Sequence, residues 1–218
     1  MCGRFAVVKK LEEIAAYYKA QLVDGDEWRE SYNIAPTQCV PVLVETDKGR
    51  ELRLMKWGLL PHWCKDPKKA VFNARSETIA ENRFFSDSFK KRRCIVPVTG
   101  FYEWKVIDKQ RYPTYFTPKE GLFSFCGIWS DWTSPEGEKI NTFSIITTTP
   151  NDVVGKIHDR MPAAITSNMI GAWLGANTSS DDLKSFLAPY PASQMMGIEV
   201  SQYVNKFANP GEKCIEPI

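Results

Sequence analysis

The stretch from residue 38 to residue 149 alternates strand-like segments with turn-forming residues, and this pattern limits what the chain can fold into. Residues 40–45 and 51–57 flank the sequence Thr46-Asp47-Lys48-Gly49, which is typical of a hairpin turn. Further strand-like segments lie at 94–98, 101–107, 112–116, 122–129 and 141–149. Strands that follow one another through turns favour an antiparallel sheet, so we predict a β-rich core.

Helical patterns are fewer and do not alternate regularly with the strands. The predicted helices cover residues 9–22, 75–92, 167–174 and 181–187. In the first of them Leu11, Ile14 and Tyr18 recur at helical spacing, and the second is broken near Asn82. We therefore predict an α+β fold with a mostly antiparallel sheet, in a single domain over residues 1–218.

The composition is that of an ordinary globular protein, with 43% hydrophobic residues, 25% charged residues and a formal net charge of +2. This charge balance excludes a non-specific polycation. The sequence holds no run of about 18 apolar residues, the length that a membrane-spanning helix needs, and its N-terminus lacks the pattern of a secretory signal. We therefore expect a cytoplasmic protein whose six cysteines are reduced. No Cys-x-x-Cys pair is present and only two histidines occur, so we expect no metal and no cofactor.

Cys2 directly follows the initiator Met1, and a small residue at this position permits removal of that methionine. Cys2 would then carry a free amine, with a pKa near 7.7–8.0, beside a thiol with a pKa near 8.5. Such a 1,2-aminothiol condenses with an aldehyde, because the amine forms a Schiff base and the thiolate then closes a thiazolidine ring. The alternative is a small second residue without a chemical role.

Two further segments place an ionisable side chain among neighbours that can tune it. Glu103 lies in an aromatic strand-like segment, where burial would raise its pKa and prepare it for proton transfer. The alternative is a carboxylate on a solvated face, paired with Lys105 or another cation. His158 precedes a proline-bounded strand and is either a surface histidine or a general acid–base near neutral pH.

The segment 83–93 carries five basic residues and one acidic residue. A solvated helix face is one interpretation of this segment. The other starts from Arg4, Arg75, Arg83 and Arg160, which lie in the same motif-like segments as Cys2, Asn73 and His158. These arginines would form a phosphate-binding surface, because the planar fork of arginine donates two parallel hydrogen bonds. With Pro36, Trp57 and Trp63 as exposed stacking or wedge candidates, such a surface would form a groove for a single nucleic-acid strand.

Seven segments, taken together and in order, resemble the SOS response-associated peptidase (SRAP) family over nearly the whole chain. They are MCGRF at 1–5, YNIAP at 32–36, KWGLLPHW at 56–63, NARSET at 73–78, VPVTGFYEWK at 96–105, SIITT at 144–148 and IHDRMP at 157–162. The resemblance implies a barrel-like, mostly antiparallel core with flanking helices. It also implies a DNA-damage protein, expected to be a monomer, that binds abasic sites in single-stranded DNA and associates with the nucleoid when bound.

The resemblance also implies roles for individual residues. Cys2, after loss of Met1, crosslinks to the open-ring aldehyde of the abasic site through a thiazolidine. Asn73 holds the amine or thiol, Glu103 moves protons during imine formation and supports release of Met1, and His158 helps to open the sugar ring. The implied DNA-binding residues are Arg4, Pro36, Trp63, Arg75, Arg83, Thr147 and Arg160, with His62-Trp63 standing where the family often has two adjacent tryptophans.

The implied activity is crosslinking with an autoproteolytic, peptidase-type or lyase-like step, and two other functions stay open. A thiol peptidase would use Cys2, His158 and Asn73 as a Cys-His-Asn set, although position 2 suits self-processing better than a general protease cleft. A non-covalent module for single-stranded DNA would leave Cys2 without a chemical role. A covalent adduct, peptide turnover, or salt-sensitive binding without an adduct would separate the three.

Overall fold

The computed structural model describes residues 2–23 and 28–218, in which β-strands dominate. The strands in these residues are β1 (Phe5–Val7), β2 (Gln21–Leu22), β3 (Ser31–Ile34), β4 (Cys39–Thr46), β5 (Gly49–Trp57), β6 (Asn73–Arg75), β7 (Arg93–Val98), β8 (Gly100–Ile107), β9 (Gln110–Pro118), β10 (Phe123–Thr133), β11 (Lys139–Thr148), β12 (Met161–Pro162), β13 (Ala164–Ile165) and β14 (Met195–Glu199). The strand predictions are confirmed, with small shifts of their ends. The predicted hairpin turn joins β4 to β5, and Gly49 adopts a φ of 104° that favours glycine.

Helices are short and lie outside the sheets. They are α1 (Leu11–Tyr18), α2 (Ser86–Lys91), α3 (Ile170–Leu174) and α4 (Ser180–Ser185), with 3₁₀ turns at Pro67–Lys69, Val154–Lys156, Ser167–Met169, Ala192–Gln194, Gln202–Asn205 and Glu212–Ile215. The two short helices predicted after residue 166 are confirmed, the first with a 3₁₀ turn at its start. In the described part of the chain, no helix has the length and apolar character needed to cross a membrane.

The helix predicted over 9–22 is wrong beyond Tyr18. Lys19 adopts a left-handed conformation with φ 53°, and its N–H donates to Ala16 O over 3.2 Å, which ends the helix. Gln21–Leu22 then pairs in parallel with β5. Strand pairing at the sheet edge therefore overrides the helical spacing of the last apolar residue.

The helix predicted over 75–92 is also largely wrong, because only its last third is helical. Asn73–Arg75 forms β6, which pairs in parallel with β11. The backbone turns after β6, with Ser76 N donating to Thr147 O over 2.9 Å. The Asn82 side chain then accepts from the N–H of Phe84 over 2.9 Å, so that the helix begins only at Ser86.

A barrel forms because a ring of described strands closes on itself. β4 pairs with β5 and β7, β7 pairs with β10, β10 pairs with β11, and β11 returns in parallel to β5 through Phe143 and Trp57. Trp57 is fully buried, its ring centroid lies 4.9 Å from that of Phe5, and its Nε1 donates to Phe72 O over 2.8 Å. The prediction that Trp57 is exposed for stacking is therefore wrong.

A second sheet, in the order β14-β9-β8-β1-β3, is antiparallel throughout. A Cβ at Gly100 would collide with the Tyr115 ring, so glycine at the start of β8 lets β9 pack closely. β1 lies between β8 and β3, which places the residues preceding it between the two sheets. The predicted α+β fold with a barrel-like, mostly antiparallel core is confirmed.

Candidate active site

The N-terminal segment is held from both sides. Asn73 Nδ2 donates to the carbonyl oxygen of Cys2 over 2.9 Å, and Tyr102 N donates to Arg4 O over 3.0 Å. β6 therefore fixes one flank of the segment and β8 the other. Cys2 is fully buried, and burial, followed by the charge of Glu103, raises the pKa of its thiol far above the usual range. The buried thiol is therefore protonated at neutral pH.

Glu103 lies on β8 and is only 2% exposed. Its Oε2 is 3.9 Å from Nε2 of His158. Burial raises the pKa of Glu103 to about 7, because a carboxylate loses its hydration in this position. The solvated-face alternative is thereby excluded. A carboxyl group that titrates near neutral pH can both accept and donate a proton.

His158 faces Glu103 in a defined tautomer. The N–H of Arg160 donates to His158 Nδ1 over 3.0 Å, which leaves the proton of the neutral ring on Nε2. Burial lowers the pKa of His158 and favours this neutral form. Asp159 Oδ1 also lies 2.9 Å from Nδ1, but its side chain is 88% exposed, so water screens its charge and the backbone hydrogen bond sets the tautomer.

Arg4 is fastened to a distant part of the chain. Its Nη1 donates to Asn33 Oδ1 over 2.5 Å and to Val204 O over 3.0 Å. Asn33 Nδ2 donates in turn to Lys206 O and Asn209 O over 3.0 and 2.8 Å. Burial lowers the pKa of Arg4, yet a guanidinium keeps its charge in proteins. Within the described residues its buried Nε has no hydrogen-bond partner.

Arg160 is engaged by the protein itself. Its Nη1 and Nη2 donate to the two carboxylate oxygens of Glu77 over 2.5 and 3.0 Å, and Nη2 also donates to Thr147 O over 2.6 Å. Thr147 is fully buried. Because a carboxylate already occupies the guanidinium fork, a phosphate would have to displace Glu77. These hydrogen bonds of the Arg160 side chain also hold the backbone segment that supports His158.

Arg75 has the opposite surroundings. It ends β6, two residues from Asn73, and its side chain is exposed. In the parts of the chain that the structure describes, its guanidinium has neither an ion-pair nor a hydrogen-bond partner. Of the predicted phosphate-binding arginines, Arg75 therefore has its guanidinium donors available, whereas those of Arg160 are engaged by Glu77 and Thr147.

Trp63 and Arg83 form an exposed pair on the surface. Trp63 is 46% exposed, its edge packs on Phe84 with 5.7 Å between ring centroids, and the Arg83 guanidinium lies 5.5 Å from its ring centre. Pro36 is half-buried in the turn after β3, and His62 is exposed. A cation beside an exposed indole suits the stacking of an unpaired base.

The basic segment 83–93 is not uniformly solvated, so the interpretation as a solvated helix face holds only in part. Arg93 is only 5% exposed. Its guanidinium donates four hydrogen bonds of 2.6–2.9 Å to carbonyl groups at the ends of α2 and α3. Arg92 pairs with Asp87 over 2.9 Å. Part of the charge of this segment therefore joins helix ends to β7.

A cavity of about 470 Å³ opens beside Glu103 and His158. Its lining residues are Gly3, Arg4, Glu103, Trp104, Val106, Arg111 and His158. The sequence analysis did not identify Trp104 and Arg111. Pairing the segments 101–107 and 112–116 as one hairpin would have placed Arg111 opposite Val106, where it lies. Asn33 and Glu77 were also missed, and their roles depend on contacts far apart in sequence.

Comparison with known proteins agrees with this arrangement. The sequence model of the SOS response associated peptidase (SRAP) family matches residues 1–207. "Abasic site processing protein YoqW" of Bacillus subtilis (strain 168) is 38% identical over 222 residues, covering 99% of each chain. The chain belongs to the SRAP family. A second SRAP relative, "Abasic site processing protein HMCES" of Rattus norvegicus, is 32% identical over 89% of this chain and 67% of its own length.

Solved structures share the fold. A crystal structure of a protein from Bacteroides thetaiotaomicron superimposes with a TM-score of 0.92 and 28% identity over the whole of both chains. A protein from Bordetella bronchiseptica gives a TM-score of 0.79 at 24% identity over 92% of this chain, and this likeness concerns the fold alone. The family recognised from the seven motifs is confirmed. Met1 of this SRAP chain lies outside the residues that the structure describes, so its expected removal stays a prediction.

Proposed function

We propose that this chain processes abasic sites in single-stranded DNA by linking Cys2, once Met1 is removed, to the sugar aldehyde. The names of its relatives support the substrate. The observation that carries the chemistry is the position of Cys2, whose carbonyl is held by Asn73 beside the buried Glu103. In this proposal the chain acts as one domain over residues 1–218 and as a monomer.

The proposed reaction forms two bonds and releases one water molecule. The amine of Cys2 adds to the aldehyde carbon, and the hydroxyl group leaves as water to give an imine. The thiol sulfur then adds to the imine carbon, and its proton passes to the nitrogen to give a thiazolidine. An unassisted thiol with a raised pKa is a poor nucleophile, so a base must take its proton at this step.

Glu103 and His158 supply the proton transfers in this proposal. Glu103 has a pKa of about 7, so it can accept a proton from the amine and return it to the departing hydroxyl. His158 acts as the acid once it is protonated: the imidazolium donates the Nε2 proton to the ring oxygen of the closed sugar, Glu103 takes the proton of the anomeric hydroxyl, and the aldehyde opens. Autocatalytic removal of Met1 would use the same carboxylate.

The DNA-binding surface in this proposal consists of Arg75, Arg83 and Trp63, which are exposed. Pro36 borders it as a wedge. Arg4, Arg160 and Thr147 were assigned the same role from the sequence. Their contacts within the protein support a different one, which is to hold the walls of the cavity in place.

Intact-mass measurement tests the proposed function. Processed protein is mixed with a single strand that carries one abasic aldehyde, and we expect an adduct whose mass is the sum of both partners less one water. A strand with a tetrahydrofuran analogue, which lacks the aldehyde, is the matched control and forms no adduct. A residue inserted between Met1 and Cys2 blocks the amine, so an undiminished adduct yield from that variant would contradict the thiazolidine.

Peptide turnover without an adduct would support the thiol-peptidase alternative. Salt-sensitive binding of the strand without an adduct would instead support the non-covalent binding module. The same mass and binding measurements therefore distinguish the three functions.

A further inference from the structure

One wall of the cavity carries a stacked cation. The guanidinium carbon of Arg111 lies 4.9 Å from the centre of the Trp104 ring, and that of Arg4 lies 5.8 Å from the same ring. Arg111 is exposed, and its side chain has no ion-pair or hydrogen-bond partner in residues 2–23 and 28–218. Its donors therefore stay available, although its orientation is set by the indole.

The Trp104 ring is itself fixed. Its Nε1 donates to Asn205 Oδ1 over 2.6 Å, and Asn205 Nδ2 donates to Arg111 O over 3.0 Å. One amide side chain thus connects the ring to the strand that carries the arginine. The pair is preorganised, so binding an anion there costs little side-chain entropy.

The geometry of the two sheets puts this pair and Arg75 on opposite flanks of the reacting residue. Arg75 ends β6, the strand whose Asn73 holds Cys2 from one side. Arg111 lies on β9, beyond β8, which holds the N-terminal segment from the other side. A nucleotide within a strand has a phosphate on each side of its sugar, so a cation on each flank of the site can contact one of these phosphates.

We infer that Trp104 and Arg111 form a second phosphate subsite, which takes the phosphodiester on the side of the abasic sugar that faces away from Arg75. This inference rests on the proposed function, because it assigns the second flank of the same strand. The strand then crosses the reaction site from one open arginine to the other. Nothing in the sequence motifs assigns Arg111 this role.

Truncated strands test the subsite without any covalent step. Equilibrium affinity is measured by fluorescence anisotropy for strands that carry a tetrahydrofuran analogue in the middle, at the 5′ end or at the 3′ end. We expect Arg111→Ala to weaken the central strand about tenfold, the size of a lost charged hydrogen bond. Of the two strands with the analogue at an end, Arg111→Ala should leave the affinity for one unchanged. Arg75→Ala should leave the affinity for the other unchanged.

Lys109→Asn is the matched control. It removes one positive charge from the same hairpin at a residue with φ 66°, which asparagine tolerates, and Lys109 does not line the cavity. We expect a loss of less than twofold. Arg111→Lys should recover part of the affinity, because it keeps the charge but not the stacked planar fork.

Equal losses for Arg111→Ala and Lys109→Asn would overturn the subsite, since a long-range field would then explain both. So would an Arg111→Ala loss that is the same on all three strands. Failure of the proposed function looks different, because the flank pattern would persist while the wild-type protein forms no adduct with an abasic aldehyde. A wild-type protein that binds none of the strands would overturn both.

Discussion

Two regions of the molecule differ in almost every physical respect. The proposed reaction centre, which comprises Cys2, Asn73, Glu103 and His158, is largely shielded from water, and burial shifts the pKa of three of its groups. The proposed binding rim, which comprises Arg75, Arg83 and Arg111, is exposed to solvent. Burial tunes proton affinity in the first region, and exposure keeps donors available in the second. Changes in the centre should therefore alter rates, and changes in the rim should alter affinities.

The largest effect should come from Cys2→Ser. The hydroxyl group closes the ring far less readily than the thiol, so we expect no heat-stable adduct with an abasic strand. Affinity for the tetrahydrofuran strand should change less than twofold. Cys39→Ser, at an exposed cysteine, is the control and should keep the full adduct yield. Denaturing gels give the adduct yield, and anisotropy gives the affinity. A stable adduct in Cys2→Ser would contradict the assignment of the crosslink to the thiol of Cys2.

Glu103→Gln should slow the crosslink by about 10²–10⁴-fold at saturating protein, the usual value of a positioned proton transfer. The wild-type rate should rise as the pH increases through about 7, because Glu103 then becomes a base. The variant should lack this inflection. Initial adduct rates between pH 5.5 and 8.5, about 1.5 units either side of that pKa, check both expectations. An unchanged inflection would assign the titration to another group.

The same pKa predicts an effect on stability. Because burial raises the pKa of Glu103 above that of an unfolded chain, about 4.3, the protonated form favours folding. Its contribution to the free energy of unfolding is complete below pH 4.3 or so and is lost as the pH rises through about 7. Urea unfolding across this range should show a decline in the wild-type protein that is weaker in Glu103→Gln.

Arg93→Ala should be the next largest change, and it should fall on stability alone. Its four hydrogen bonds to carbonyl groups, two of them buried and two partly buried, would be lost, at a cost of roughly 3 kcal/mol in the free energy of unfolding. Affinity for the tetrahydrofuran strand should be unchanged in the folded fraction, measured at a temperature well below Tm. A selective loss of affinity would contradict a purely structural role for Arg93.

Arg75→Ala should give the smallest of these effects. It should weaken single strands with and without an abasic site alike, and flatten the log–log salt dependence by roughly 0.7 for one lost phosphate contact. Arg160→Ala should change this slope less, because Glu77 already neutralises Arg160. It should instead slow the crosslink at saturating protein, since His158 loses its support. Equal slopes in the two variants would place both arginines on the DNA.

The strands and the family could be predicted because each depends on local sequence, and the four residues of the proposed reaction centre were named from the same local motifs. Alternating apolar and polar side chains predict a strand, and a contiguous motif such as NARSET can be recognised without knowledge of the fold. The helix predicted over 75–92 failed because β6 depends on a partner, β11, that is distant in sequence (Asn73 pairs with Ile145, for example). Trp57 and Arg93 failed for the same reason, since packing rather than residue type decides which aromatic or basic side chain is buried.

The burial of Cys2 has a consequence for the lifetime of the protein in an oxidising cell. Peroxides and disulfides react with thiolates, and a thiol whose pKa is raised by desolvation is almost entirely protonated. An unfolded chain would expose the same sulfur at its ordinary pKa and lose it to sulfenic acid much sooner. Folding therefore preserves the sulfur in its reduced form until an aldehyde arrives, and oxidative ageing of Cys2 should track the unfolded fraction rather than the total protein.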